Sequence, residues 1–251
     1  MTHVLVTRPL DKSRQLADQL QSHGLIPVVM PLYKFSPRDP LPEVSLVWSQ
    51  EQLRKLAVFT STRAVQFGLP FIPRQNQLDG IDIAVVGSAT RAALEDRGYR
   101  VHLQAGAGFT SEDLLQVPAL ANDPGVAVIF CAPGGRKTLA EGLADLGWQT
   151  IEAMVYERVP VQPGPDHVES LRNCGDLISV WTSISAIDIA EKYLPGDVWV
   201  KILGASALVI SSRIQRHLVK LGASRVELAD GPGNPELLRS ILRLKGEQAA
   251  G

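Results

Sequence analysis

A stretch ending at Gly24, LADQLQSHG, returns as LAEGLADLG ending at Gly147, 123 residues further on. The same step carries Leu16 to Leu139, Ala17 to Ala140, Leu20 to Leu143, Tyr33 to Tyr156 and Pro37 to Pro160. Three more segments follow in order: FTSTRAV at Phe59 answers WTSISAI at Trp181, VVGSATRAALEDRG answers VISSRIQRHLVKLG, and FTSEDLL at Phe109 answers PGNPELL. Drift of a residue or so between segments is what loop insertions produce. Repeats kept in order over a whole chain identify an internal duplication, and they bound the fold before any motif is read. A doubled unit folds either as two lobes in series or by exchanging its opening segments between lobes, and the repeat alone leaves both open.

Within each copy the pattern is strand, helix, strand. Residues 4–6 are a short apolar, β-branched run, and residues 11–23 set Leu16 and Leu20 on one helical face before Gly24. The apolar segment 27–35 completes a βαβ unit whose two strands run parallel. Further strands are expected at 56–59, 83–86, 126–130, 177–181 and 207–210, each followed by a helical pattern. The outcome is an α/β protein with parallel sheets covered by helices. Segments 27–35 and 149–159 are long, entered from a helix and closed by a proline, which suits them to run from lobe to lobe. Residues 245–251, small and polar, are expected to fray.

Charge and cysteine usage exclude several functions. Acidic and basic residues nearly cancel, 26 against 25, so no broad basic field holds a nucleic acid or an anionic membrane. An anionic ligand must be met by local donors. Cys131 and Cys174 form no CxxC or Cys/His cluster, and the histidines (His3, His23, His102, His167, His217) lack metal-ligand spacing, so no metal is expected. The opening MTHVLVTRPL lacks a signal-peptide pattern and no apolar run approaches a membrane span, which points to a cytoplasmic protein.

The motifs favour anion binding at helix starts. Thr60 and Ser61, and Thr182 and Ser183, stand where a strand gives way to a helix, one pair per copy. Capping alone accounts for them. The functional reading is that free amides and hydroxyls at these ends receive a carboxylate or phosphate. VVGSAT repeats the construction with Ser88 and Thr90, but GxGxxG and Walker sequences are absent. Arg136 in APGGRKT suits a carboxylate fork or a solvated first-turn position. Tyr156 in EAMVYERVP is the acid-capable residue best placed on a connector, though composition alone favours a packed strand aromatic.

Taken together, VLVTRP, FTSTRAV, VVGSATRAAL, GGRKTLAEGLADLGW, MVYERVP and WTSISAI, in this order, resemble the uroporphyrinogen-III synthase family over nearly the full chain. The resemblance implies two similar α/β domains joined by a two-stranded connector. One would hold residues 1–36 and 160–251, the other 37–159, with the chemistry in the cleft between them. It implies cyclisation of hydroxymethylbilane to uroporphyrinogen III, with loss of water and inversion of ring D, by a monomer without cofactor. Tyr156 would protonate the departing hydroxyl. Thr60, Ser61, Arg63, Ser88, Thr90, Arg136, Thr182 and Ser183 would meet the substrate's carboxylates. Ser211 and Ser212 stand where many relatives carry a different helix start. A binding module that keeps the form without turnover would bind the tetrapyrrole but release no product.

Overall fold

The computed structural model describes residues 1–250 apart from 51, 52, 79, 107, 109, 135 and 136, with side chains for all of these but 77 and 247–250. The first copy of the repeat forms β1 (His3–Val6), α1 (Leu10–Ser22), β2 (Ile26–Val29), β3 (Tyr33–Pro37), α2 (Glu43–Val47), β4 (Lys55–Phe59), α3 (Thr62–Gly68), β5 (Ile81–Val85), α4 (Ser88–Glu95), β6 (Leu103–Gln104) and α5 (Ser111–Leu115). The second forms β7 (Val126–Cys131), α6 (Thr138–Asp145), β8 (Gln149–Met154), β9 (Tyr156–Pro160), α7 (Pro165–Asn173), β10 (Leu177–Trp181), α8 (Ile184–Tyr193), α9 (Gly196–Gly204), β11 (Ser206–Val209), α10 (Ser212–Lys220), β12 (Arg225–Leu228) and α11 (Asn234–Ala250).

One five-stranded sheet has the order β12-β11-β10-β1-β2 and the other β6-β5-β4-β7-β8, with parallel pairing throughout. Replacing each strand by its counterpart in the other copy turns the first order into the second. Each sheet therefore takes its opening βαβ from one copy and its last three strands from the other, so the duplicated chain folds by exchange. A two-stranded antiparallel sheet, β3 with β9, carries the chain across. Contacts divide the chain into Met1–Lys34, Val159–Gly251 as one unit and Phe35–Arg158 as the other.

The strand faces explain the order of packing. In Phe35–Arg158, Ala57, Phe59, Val128 and Phe130 point into one cluster with Val65, Ile83 and Leu94. Leu56, Val58, Ala127 and Ile129 point the other way, onto Leu114, Leu139, Leu143 and Trp148. This two-residue alternation, apolar on both faces, is what a sheet covered by helices on each side requires. Phe59 and Phe130 stack across β4 and β7 with centroids 4.7 Å apart. Burying a ring of that size stabilises the unit by about 2 kcal/mol. In the other unit Val4, Val6, Ile178, Val180 and Leu208 meet Leu16, Leu20, Leu237 and Ile241.

Three expectations are corrected. Segments 27–35 and 149–159 are each two strands rather than one. After Met30 N–H bonds to Val6 C=O, Pro31 has no N–H to continue the ladder, and Tyr33 opens a different sheet. Val155 likewise spends its N–H on Cys131 C=O and its C=O on Arg38 N–H, handing the chain from one sheet to the next. The structure adds edge strands β6 and β12, which the sequence pattern does not mark because two residues and the charged run RVEL carry no apolar period. The tail expected to fray continues α11 to Ala250.

Candidate active site

In the sheet of Phe35–Arg158 the chain proceeds outward from β4 through β5 to β6, and outward the other way from β7 to β8, so the order reverses between β4 and β7. Loops at the carboxyl ends of two such strands diverge and leave a crevice there. A cavity of about 380 Å³ lies at this point, with Thr60, Ser111, Cys131, Glu152, Tyr156 and Arg158 among its polar lining.

Thr60 follows β4, and its Oγ1 donates to Phe130 C=O at 3.0 Å, closing the end of β4 against β7. Ser61 is extended (φ −164°) and caps α3, its Oγ accepting from Ala64 N–H at 3.1 Å. The same oxygen lies 3.1 Å from the Tyr156 hydroxyl. The Tyr156 ring is wedged between Phe35, edge-on at 5.7 Å, and Phe67, near-parallel at 5.7 Å, leaving 8% of the residue exposed. Tyr156 is thus both a packed aromatic and a cavity residue. Packing holds the ring so that its oxygen stays on Ser61.

The guanidinium of Arg63 sits 4.7 Å from the Phe35 ring centre and donates to Gln66 Oε1 at 2.7 Å. Arg158 lies 5.9 Å from the same ring. Two cations around one aromatic ring, next to a phenol, make a region suited to an anion. Cys131 shows the opposite environment: burial first, and the nearby Glu152 carboxylate second, push its thiol up to about 11.

The other sequence-derived residues are distributed as follows. Ser88 is the exposed first residue of α4, with Gly87 as its cap, and Thr90 is buried one turn in. Both open the helix that follows β5, one strand away from β4. Thr182 and Ser183 follow β10 in the other unit, where Ser183 Oγ caps α8 by accepting from Ala186 N–H at 3.2 Å. Ser211 caps α10 through Ile214 N–H, and Ser212 is its exposed first residue. Arg136 lies outside the described residues. Cys131, Glu152 and Arg158 were not singled out from sequence. Glu152 lies on β8 and Tyr156 and Arg158 on β9, so the cavity gathers them from both sides of the handover at Val155.

The sequence pattern described as uroporphyrinogen-III synthase HemD matches residues 14–239. The chain belongs to the uroporphyrinogen-III synthase family. Among uroporphyrinogen-III synthases, that of Escherichia coli K12 is 26% identical over 245 residues, covering 95% of this chain and 99% of the relative. The fold is that of uroporphyrinogen-III synthetase from Helicobacter pylori 26695, with TM-score 0.64 at 18% identity over 97% of this chain and all of the other. A mutant uroporphyrinogen III synthase from the extremely thermophilic bacterium Thermus thermophilus is similar, with TM-score 0.60 at 17% identity over 98% of this chain and all of that one. Uroporphyrinogen-III synthases are cyclising lyases of tetrapyrrole biosynthesis, so this chain is an enzyme of that class. Among the described residues no helix is long and apolar enough to cross a membrane.

Proposed function

We propose that this chain closes hydroxymethylbilane to uroporphyrinogen III, losing water and inverting ring D, with Tyr156 as the proton donor. The observation that carries the reading is the Tyr156 phenol held on Ser61 Oγ at the wall of the cavity between the ends of β4 and β7.

The phenol gives its proton to the hydroxyl of the bilane, which leaves as water, and the pyrrole nitrogen supplies the electron pair. The resulting azafulvene cation is attacked by the substituted carbon of ring D to give a spiro intermediate. Fragmentation and reclosure at the other α-carbon then invert the ring. The proton lost as ring D regains aromaticity returns to the phenolate. Ser61 suits this cycle because its Oγ already accepts from Ala64 N–H, which leaves its O–H to donate to the phenolate oxygen. A neutral phenol is a general acid at ordinary pH.

Carboxylates of the substrate would be received by Thr60, Ser61, Arg63, Ser88, Thr90 and Arg136 in one domain (37–159), and by Thr182 and Ser183 in the other (1–36 and 160–251). Helix-start amides and hydroxyls supply these contacts in a chain whose net charge is only −1. The monomer acts in the cytoplasm and needs no cofactor, since the pyrrole nitrogens drive the chemistry. Incubation with freshly generated hydroxymethylbilane, followed by oxidation and separation of the isomers, tests the reading. Isomer III is expected, and isomer I alone would refute it.

A further inference from the structure

The duplication that builds the strand reversal beside the Tyr156 cavity also builds one in Met1–Lys34, Val159–Gly251. There the strand order reverses between β10 and β1. Thr7 Oγ1, just after β1, donates to Val180 C=O on β10 at 2.8 Å, so a threonine ties the strand ends at this reversal as Thr60 does at the other. The 123-residue step, which the pairing of β1 with β2 and of β7 with β8 keeps, sets Arg8 against Cys131, which lines the cavity in the other unit. Arg8 therefore occupies the corresponding position of its own sheet.

The guanidinium is oriented there. Nη1 donates to Asn234 Oδ1 at 2.6 Å and Nη2 to Pro232 C=O at 3.1 Å, and both acceptors are uncharged. Asn234 stands at the start of α11, and its own Nδ2 reaches Gln15 Oε1 at 3.5 Å. Tyr33, the repeat partner of Tyr156, and Asp11 are near enough to act on Arg8 electrostatically. Burial outweighs both and lowers the affinity of the guanidinium for its proton, so the fold compensates this half-buried charge incompletely. A planar fork held by neutral acceptors at the carboxyl end of a switch-point strand fits a carboxylate.

We propose that Arg8 is a substrate-binding residue that holds one carboxylate of the linear tetrapyrrole at the end of β1. This deepens the synthase reading and rests on it. The Tyr156 copy of the duplicated unit performs proton transfer, and the Arg8 copy binds charge.

Arg8→Gln and Arg8→Lys in the full chain test the assignment, with kcat and KM for freshly generated hydroxymethylbilane measured at low and moderate ionic strength. For Arg8→Gln, KM rises roughly tenfold or more with kcat nearly unchanged, as expected for loss of a charge-assisted contact made equally in ground and transition states. The fall of kcat/KM with added salt becomes shallower, a change that loss of a merely structural tie would not produce. Arg8→Lys lies between, since it keeps the charge and loses the fork. Should Arg8→Gln fail to fold, phenylglyoxal modification of the native chain with peptide mapping decides. Saturating uroporphyrinogen III slows reaction at Arg8 severalfold. Unchanged KM and salt dependence in folded Arg8→Gln, or unprotected Arg8 in the native chain, overturns the proposal while isomer III is still formed by the native protein. Formation of isomer I alone by the native protein overturns the synthase reading itself.

Discussion

The Tyr156 hydroxyl and Ser61 Oγ meet at 3.1 Å although 95 positions separate them in sequence. Ser61 is fixed by its cap on α3 and Tyr156 by the rings of Phe35 and Phe67, so two independent packing constraints bring these oxygens together. A serine that serves a helix and a phenol at once couples local stability to the proposed acid.

Tyr156→Phe separates those roles. The ring keeps its place between Phe35 and Phe67, and the cost to stability is about 1 kcal/mol for one lost hydrogen bond. Turnover falls by roughly ten to a thousandfold, below or within the usual range for a missing general acid, with KM little altered. Steady-state assays with separated isomers read this directly; undiminished kcat would assign the proton to water or to the substrate itself.

Ser61→Ala removes the cap and the phenol's partner together. Stability drops by about 1 kcal/mol and turnover falls several-fold. Ser61→Asp retains a capping oxygen and places a carboxylate beside the phenol and beside an anionic substrate. It should match the native unfolding midpoint within about 0.5 kcal/mol yet lose more activity than Ser61→Ala. Equal losses of activity in the two variants would mean that the hydroxyl's contact with Tyr156 carries no catalytic weight.

The contrast between caps and partners explains what could be read in advance. Ser61 and Ser183 are legible as caps because a strand pattern ends and a helical one begins beside each, and capping is a local effect. The central strands β4, β7 and β10 are legible because a buried parallel strand is a continuous apolar run. Edge strands β6 and β12 carry no such run, and the handover at Val155 depends on two long-range backbone bonds, to Cys131 and from Arg38. The contact of Tyr156 with Ser61, and the gathering of Cys131, Glu152 and Arg158 around it, exist only once β4, β7 and β8 are side by side. Long-range pairing, rather than propensity, builds that part of the site.

Cys131 offers a pH test of the cavity wall. With its thiol pushed up to about 11 by burial and by Glu152, it stays protonated through the neutral range. Alkylation by iodoacetamide should climb about tenfold per pH unit, following the thiolate fraction, with no plateau below about pH 11. The sign for stability follows. A folded thiol that holds its proton more tightly than the unfolded one stabilises the fold fully below pH 9.0, the ordinary value, and that contribution is lost as pH rises toward 11. Glu152→Gln lowers the plateau only in part, because burial is the larger cause. A plateau at or below pH 9.0 in the native chain would show a solvated thiol and contradict this environment.

Gly125→Ala tests whether the start of β7 sets the far end where the site lies. A methyl group at Gly125 would overlap the backbone carbonyl oxygen of Arg54. That carbonyl accepts from Val126 N–H at 2.9 Å, and Gly125 C=O accepts from Gln149 N–H at 2.9 Å, so the first rungs of both β4–β7 and β7–β8 pass through this point. Backbone cannot yield as a side chain would, and the central strand must shift, at a cost of about 3 kcal/mol or more. The same shift travels along β7 to Phe130, whose carbonyl holds Thr60, and to Cys131 on the cavity wall. Turnover should fall together with stability even below the unfolding transition. Gly175→Ala is the control: its added methyl meets nothing within 4 Å and its backbone lies outside the positive-φ region, so stability changes by no more than about 0.5 kcal/mol and activity is retained. If Gly125→Ala unfolds at the native midpoint, the ladder at Arg54 is not what positions β7, and the carboxyl end of that strand must be held from the cavity side instead.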